Sequence, residues 1–247
     1  MKIIVEKDYQ AMSKAAARVM IEQIKASEES PLISIAGGDT PLGLVEAFVE
    51  AINNKEVDIT DTAYISLDEW VGLGKADKGS CAEYNYTNLL MKIKQFFNTQ
   101  YVINGKAEDV QAELKRIDTF IENHGGKFTV NVLGIGLNGH LGFNEAGIDI
   151  FEETGAKLIE LAETTTTVMT KYFGDNFKPT HGITQSIHQI MNSELLILVA
   201  NGEKKAEIIQ RALEGEITNE VPASVLQNHP NVYVVLDEAA AAKLKNK

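Results

Sequence analysis

Leu32-Ile33-Ser34-Ile35-Ala36-Gly37-Gly38-Asp39-Thr40-Pro41 holds a strand, a turn and the start of a helix in one short span. The Leu32 to Ala36 run is apolar enough for a buried strand, and the amphipathic stretch from Pro41 to Ile52 has helical spacing. Between them, two glycines let the backbone come close to a ligand, Thr40 suits an N-cap, and Pro41 suits the first helical position. Such a turn aims unpaired amides and the positive end of a helix at an anion, commonly a phosphate. It serves equally as a capped turn with no ligand. The glycine and lysine spacings of a Walker loop or a dinucleotide fingerprint are missing.

The same alternation runs outward in both directions. Before it come a strand at Ile3 to Val5 and a helix from Asp8 to Lys25. After it come Tyr64 to Leu67, a helix near Ala82 to Ile93, Tyr101 to Ile103, a helix from Ala107 to His124, and Val130 to Ile135. Beyond a less regular middle follow Leu195 to Ala200, a helix from Glu203 to Leu213, Val232 to Leu236 and a closing helix from Glu238. Strands this continuously apolar belong in a parallel sheet buried on both faces. The expected fold is therefore α/β: a single Rossmann-like three-layer domain over residues 1–247, its mostly parallel sheet covered by helices on both faces. Repeats and long linkers are missing from the sequence.

Composition narrows the function. The 247 residues carry a formal net charge of −12, which repels nucleic acid and anionic membranes but leaves a phosphate free to bind local amides and lysines. The longest apolar runs, such as Leu195 to Ala200, fall far short of the roughly 20 residues that span a bilayer. Charge within Met1 to Asp8 argues against a targeting segment, and the lone Cys81 suits a reducing compartment, so a cytoplasmic location is expected.

Two further loops carry chemistry. In Ile65-Ser66-Leu67-Asp68-Glu69-Trp70-Val71-Gly72 a strand runs into adjacent carboxylates. Neighbouring residues on a strand point to opposite faces, so one of Asp68 and Glu69 faces a ligand crevice while the other pairs elsewhere. In Leu133-Gly134-Ile135-Gly136-Leu137-Asn138-Gly139-His140-Leu141-Gly142-Phe143-Asn144-Glu145, alternate glycines cradle a polar triplet of Asn138, His140 and Glu145. A histidine titrating near neutrality beside a carboxylate is a proton-handling set. The spacing of His140, Glu145 and Asp68 fits no metal motif, and nothing near Cys81 marks a lowered pKa; a helix-start packing role suits it better.

In this order, the loops resemble the glucosamine-6-phosphate deaminase family, which includes galactosamine-6-phosphate deaminase/isomerases. The resemblance extends to Pro222-Ala223-Ser224-x-Leu226-Gln227-x-His229 and covers nearly the whole chain. It implies conversion of a 2-amino-2-deoxyhexose 6-phosphate to a ketohexose 6-phosphate with loss of ammonia, with no cofactor. It implies that His140 assists opening of the pyranose ring, that Glu145 orients and charge-balances it with Asn138 alongside, and that Asp68 moves a proton between C2 and C1. It assigns the phosphate to Gly37, Gly38, Asp39 and Thr40, with Lys171 and Lys205. The implied partner is a small phosphosugar, without nucleic acid or membrane, and the implied assembly is a monomer or small homo-oligomer.

Some positions depart from the family pattern. Asn138 stands where some members have aspartate, Asp39 where a small residue is usual, and Lys171 in place of a common arginine, a point charge instead of a bidentate fork. Ala146-Gly147 replaces proline-glycine, and Ile148 to Leu158 lacks the basic residues that allosteric members use. Trp70, Gly79-Ser80-Cys81 and Thr180 to Thr184 lean toward the galactosamine branch. A 6-phosphogluconolactonase is the competing enzyme reading, but Phe143-Asn144-Glu145 follows the histidine where a serine-leucine-phenylalanine-proline run is expected. A sugar-phosphate sensor is the non-catalytic alternative; it would carry a DNA-binding module ahead of a first strand that starts here near Ile3.

Overall fold

The computed structural model describes residues 1–167 and 177–245. Strand β1 (Lys2–Glu6) leads to helix α1 (Tyr9–Ala26), capped by the Asp8 carboxylate, which accepts from the Ala11 amide at 2.8 Å. Then come β2 (Leu32–Ile35), α2 (Asp39–Asn53), β3 (Ala63–Ser66), β4 (Asp68–Trp70), α3 (Cys81–Asn85), β5 (Thr99–Tyr101), α4 (Val110–Asn123) and β6 (Val130–Leu133). The chain continues through β7 (Lys157–Glu160), β8 (His181–Thr184), α5 (Ile187–Met191), β9 (Leu196–Ala200), α6 (Ala206–Glu214) and β10 (Val232–Asp237).

Seven strands form a wholly parallel sheet in the order β1-β10-β9-β6-β2-β3-β5. Period-two alternation divides its side chains between two faces. Ile33, Ile35, Val130, Val132, Ile197 and Val199 pack under α1 and α2, against Met12, Met20, Leu44 and Phe48. On the opposite face Leu196, Leu198, Val234 and Leu236 meet Ile208, Ile209 and Ala212 of α6, while Leu32 and Ile65 meet Leu114, Ile117 and Ile121 of α4. This is the expected three-layer α/β arrangement, and the continuous apolar character of β9 and β10 follows from burial on both sides.

From β2 the chain moves outward through β3 to β5, then returns to the other flank of β2 as β6 and proceeds to β9 and β10. The direction reverses between β2 and β6. At such a reversal the connections leave on opposite faces, and a crevice opens beyond the carboxyl ends of the strands. The Gly37-Gly38 loop and the Gly134 to Glu145 loop both start there.

The less regular middle contains a second sheet, antiparallel, in the order β4-β8-β7. Its first strand is the continuation of β3 past Leu67, so Asp68 belongs to this small sheet, paired with Thr184, and not to the end of the large one. Other expectations are corrected at element ends. Helix α2 starts at Asp39 with Gly38 as N-cap, because the Thr40 hydroxyl is drawn away to Asn201 Oδ1 at 2.8 Å. The helix expected over Ala82 to Ile93 is α3 followed by a π turn, Tyr86–Leu90. The strand expected at Tyr101 to Ile103 lies at Thr99–Tyr101, since the Ile103 amide donates to Ser66 Oγ at 3.0 Å and leaves the ladder. Helix α4 begins only at Val110, where the Asp109 carboxylate caps the Ala112 amide. The helix expected from Glu203 opens as a 3-10 turn, Glu203–Lys205, before α6. From Glu238 the chain winds in turns instead of a closing helix, with the Asp237 carboxylate shared between the Ala240 and Gly202 amides. Among the described residues no helix is long and apolar enough to cross a membrane.

Candidate active site

Asp68 and Glu69 go to opposite sides of β4. Glu69 is fully buried and accepts from the amides of Trp70, Cys81 and Ala82 at 2.8, 3.0 and 2.7 Å, so it caps helix α3. Burial pushes its carboxyl up to about 8 even against those three amides. Asp68 instead faces the glycine-rich loop after β6: a methyl group on Gly142 would sit 3.4 Å from its Oδ2. Burial raises Asp68 to about 6, opposed by a hydrogen bond from the Cys81 thiol and by the charge of His140. A carboxylate with that proton affinity can both take and return a proton near neutrality.

The loop after β6 folds into a tight cradle: the Gly136 amide donates to His140 O and the Gly139 amide to Gly136 O, at 3.0 and 3.1 Å. His140 Nδ1 stands 3.3 Å from Glu145 Oε2. The same Oε2 accepts from Asn138 Nδ2 at 2.8 Å, and Asn138 Oδ1 accepts from the His140 amide at 3.2 Å. Burial alone would raise the Glu145 carboxyl. The hydrogen bond and charge of His140, with hydrogen bonds from Thr165 and Asn138, outweigh it and hold Glu145 down at about 2. Glu145 is thus a fixed negative charge beside the imidazole. Glycine at 136 is required by contact, since a β-carbon there would lie 2.4 Å from the His140 ring. Gly136→Ala displaces that ring, so we expect kcat to fall about tenfold to a hundredfold with little change in KM, measured by steady-state kinetics.

The residues expected to bind an anion lie at the same end of the sheet, Lys171 aside. Gly38 holds φ at 113°, a left-handed value that favours glycine, and gives α2 an N-terminus with no side-chain cap. A helix N-terminus of this kind favours an anion. Asp39 is exposed, with its carbonyl accepting from Tyr9 OH at 2.9 Å. Lys205 reaches across from the 3-10 turn after β9 to donate to Ile135 O at 2.5 Å, which brings its ammonium to the end of β6. Together with the Thr40 to Asn201 bond, these contacts join the loops after β2, β6 and β9. Lys171 lies outside the described residues.

Sequence reading passed over two participants. Thr165 Oγ1 lies 3.4 Å from His140 Nδ1. Cys81, read as a packing residue, hydrogen-bonds Asp68 and approaches Gly37, where a β-carbon would be 3.9 Å from its own. Burial drives its thiol well above the ordinary range, so it acts as a neutral donor and not as a nucleophile. An aspartate immediately after a strand and a serine-cysteine helix start were the available signals for that pairing. Among the described residues no group of three or more His, Cys, Asp or Glu side chains could hold a metal.

Residues 7–234 match the family described as glucosamine-6-phosphate isomerases/6-phosphogluconolactonase. The chain belongs to that family. A glucosamine-6-phosphate deaminase of Clostridium perfringens (strain 13 / Type A) is 37% identical over 246 residues, covering 99% of this chain and all of the relative. One of Clostridium botulinum (strain Kyoto / Type A2) is 35% identical over 248 residues, covering both chains completely. A solved monomeric glucosamine-6-phosphate deaminase superposes with a TM-score of 0.91 at 29% identity, covering 99% of this chain and all of that one. The 6-phosphogluconolactonase of Trypanosoma brucei, with a TM-score of 0.75 and 20% identity, shares the fold.

Proposed function

We propose that this family member converts a hexosamine 6-phosphate to a ketohexose 6-phosphate and ammonia, with glucosamine 6-phosphate as the preferred substrate. The observation that carries this reading is that Asp68, the His140–Glu145 pair, the N-terminus of α2 without a side-chain cap and Lys205 all stand at the carboxyl ends of the parallel strands. His140, held by Glu145, moves the proton that opens the pyranose ring. Asp68 then removes the C2 proton to form an enolamine and returns it to C1, leaving an iminium at C2. Water adds to C2 and ammonia departs. The site residues named here all come from one chain, and the superposable solved deaminase is monomeric, which supports a complete site in a single subunit.

The relatives named for glucosamine 6-phosphate support the gluco epimer. The lean toward galactosamine rested partly on Trp70 reshaping the pocket; its ring is buried against Phe143, with centroids 4.3 Å apart. An ammonia-release assay on both epimers tests the proposal. Release from glucosamine 6-phosphate with a higher kcat/KM is the expected result; lactone hydrolysis without ammonia release would overturn it. Lys205→Met removes one charged contact to the phosphate, so KM rises about tenfold to a hundredfold while kcat holds.

A further inference from the structure

Ser34 and Asn131 interrupt two otherwise apolar strands, on the faces shared with Leu32 and Leu133. Both are fully buried, and so is the residue that they meet, Gln185, immediately after β8. Gln185 Nε2 donates to Ser34 Oγ at 2.9 Å and to the Ser66 carbonyl at 3.2 Å, while its Oε1 accepts from Asn131 Nδ2 at 3.0 Å. Its backbone is equally engaged. The Gln185 amide donates to Leu67 O at 3.1 Å, and its carbonyl accepts from Asn144 Nδ2 at 2.9 Å and from Thr184 Oγ1 at 3.1 Å.

One residue therefore touches each part that must be held in register. Ser34 lies in the strand before the Gly37-Gly38 loop, Asn131 in the strand before the His140 loop, Ser66 and Leu67 directly precede Asp68, and Asn144 directly precedes Glu145. Thr184, the neighbour of Gln185, pairs with Asp68 across the small sheet and accepts from the Phe143 amide at 3.2 Å. Buried amide groups are costly unless bonded, and bonded they fix geometry more sharply than apolar packing does.

We propose that Gln185 is a positioning residue: its side chain locks the small sheet that carries Asp68 onto β2 and β6, setting where the base stands relative to the His140–Glu145 pair. This rests on the deaminase reading above. Without the lock, β4 and β8 shift against the His140 loop while the α2 N-terminus and Lys205 stay in place. The chemical step suffers and phosphate binding does not.

The test uses Gln185→Leu and the triple variant Ser34→Ala/Asn131→Leu/Gln185→Leu, with kcat, KM and melting temperature measured for each on glucosamine 6-phosphate. Gln185→Leu strands buried polar partners, so it loses stability and about a hundredfold in kcat, with KM within about threefold of wild type. The triple variant strands only the Ser66 carbonyl and spares the two side-chain partners, so most of its melting temperature recovers while kcat stays low. If Gln185→Leu does not fold, the triple variant carries the same comparison. Recovery of kcat together with stability in the triple variant, or an unchanged kcat in folded Gln185→Leu, would overturn the positioning role and leave the deaminase reading intact. Wild-type protein that releases no ammonia from either hexosamine 6-phosphate would overturn both.

Discussion

Asp68→Asn lowers ammonia release by about 10³ to 10⁴-fold, leaves KM nearly unchanged, and yields a protein at least as stable as wild type near neutral pH. The kinetic part follows from the loss of the only proposed group that carries the proton between C2 and C1; an amide there keeps the shape and loses the proton affinity. The stability part follows from linkage. Burial raises the Asp68 carboxyl from 3.8 to about 6, so the folded protein binds this proton more tightly than the unfolded chain does. Its burial costs nothing below 3.8, costs more as pH rises from there to about 6, and above 6 costs an amount of order 3 kcal/mol. Asparagine removes that cost. Melting temperatures of variant and wild type should accordingly differ most at pH 8, with the variant higher, and converge by about pH 4. In wild type the same group gives kcat/KM an acid limb near pH 6. A variant that is both dead and unstable at pH 8 would mean that Asp68 is a structural anchor.

The proposed base carries a burial cost, and the residues around it are firmly bonded. Glu69 next to Asp68 is bound by three amides, the Cys81 thiol donates to Asp68, and Gln185 Nε2 donates to the Ser66 carbonyl two residues before it. The opposite orientation of Asp68 and Glu69 was legible from strand periodicity alone. So were the large sheet and its helices, because β2, β6, β9 and β10 are short apolar runs separated by amphipathic helices, a local pattern.

The parts that stayed hidden depend on pairing between distant segments. Strand β7 alternates half-buried and exposed residues, and β8 begins His181-Gly182, so neither has the apolar signature of a strand. Without them, the second sheet cannot be inferred, and Asp68 reads as the end of β3. The Thr40 cap failed for a similar reason: its partner Asn201 lies on the far side of the switch point. Ser34 and Asn131 do announce themselves as polar residues in apolar strands, but only the fold shows that one glutamine answers both.

His140→Gln and Glu145→Gln test the other half of the site, and the informative quantity is their combination. Each alone should reduce kcat by about 10² to 10³-fold, the first by removing the group proposed to move the ring-opening proton, the second by removing the charge proposed to orient and support it. Glu145→Gln has a second signature. The carboxyl is held down from 4.5 to about 2, so its stabilisation is complete above 4.5 and is lost as pH falls toward 2. Allowing for solvent screening, this amounts to about 1 to 2 kcal/mol, so the variant is less stable than wild type at pH 7 and the gap closes in acid. His140 and Glu145 are 3.3 Å apart and share Asn138 and Thr165, so they act as one unit. In a unit, once one member is gone the other has nothing left to support, and effects do not multiply. The double variant should therefore be no more than a few-fold slower than the worse single one. If instead the two losses multiply, Glu145 acts on the substrate directly, and the imidazole is oriented by the Asn138 contact and by the glycine cradle.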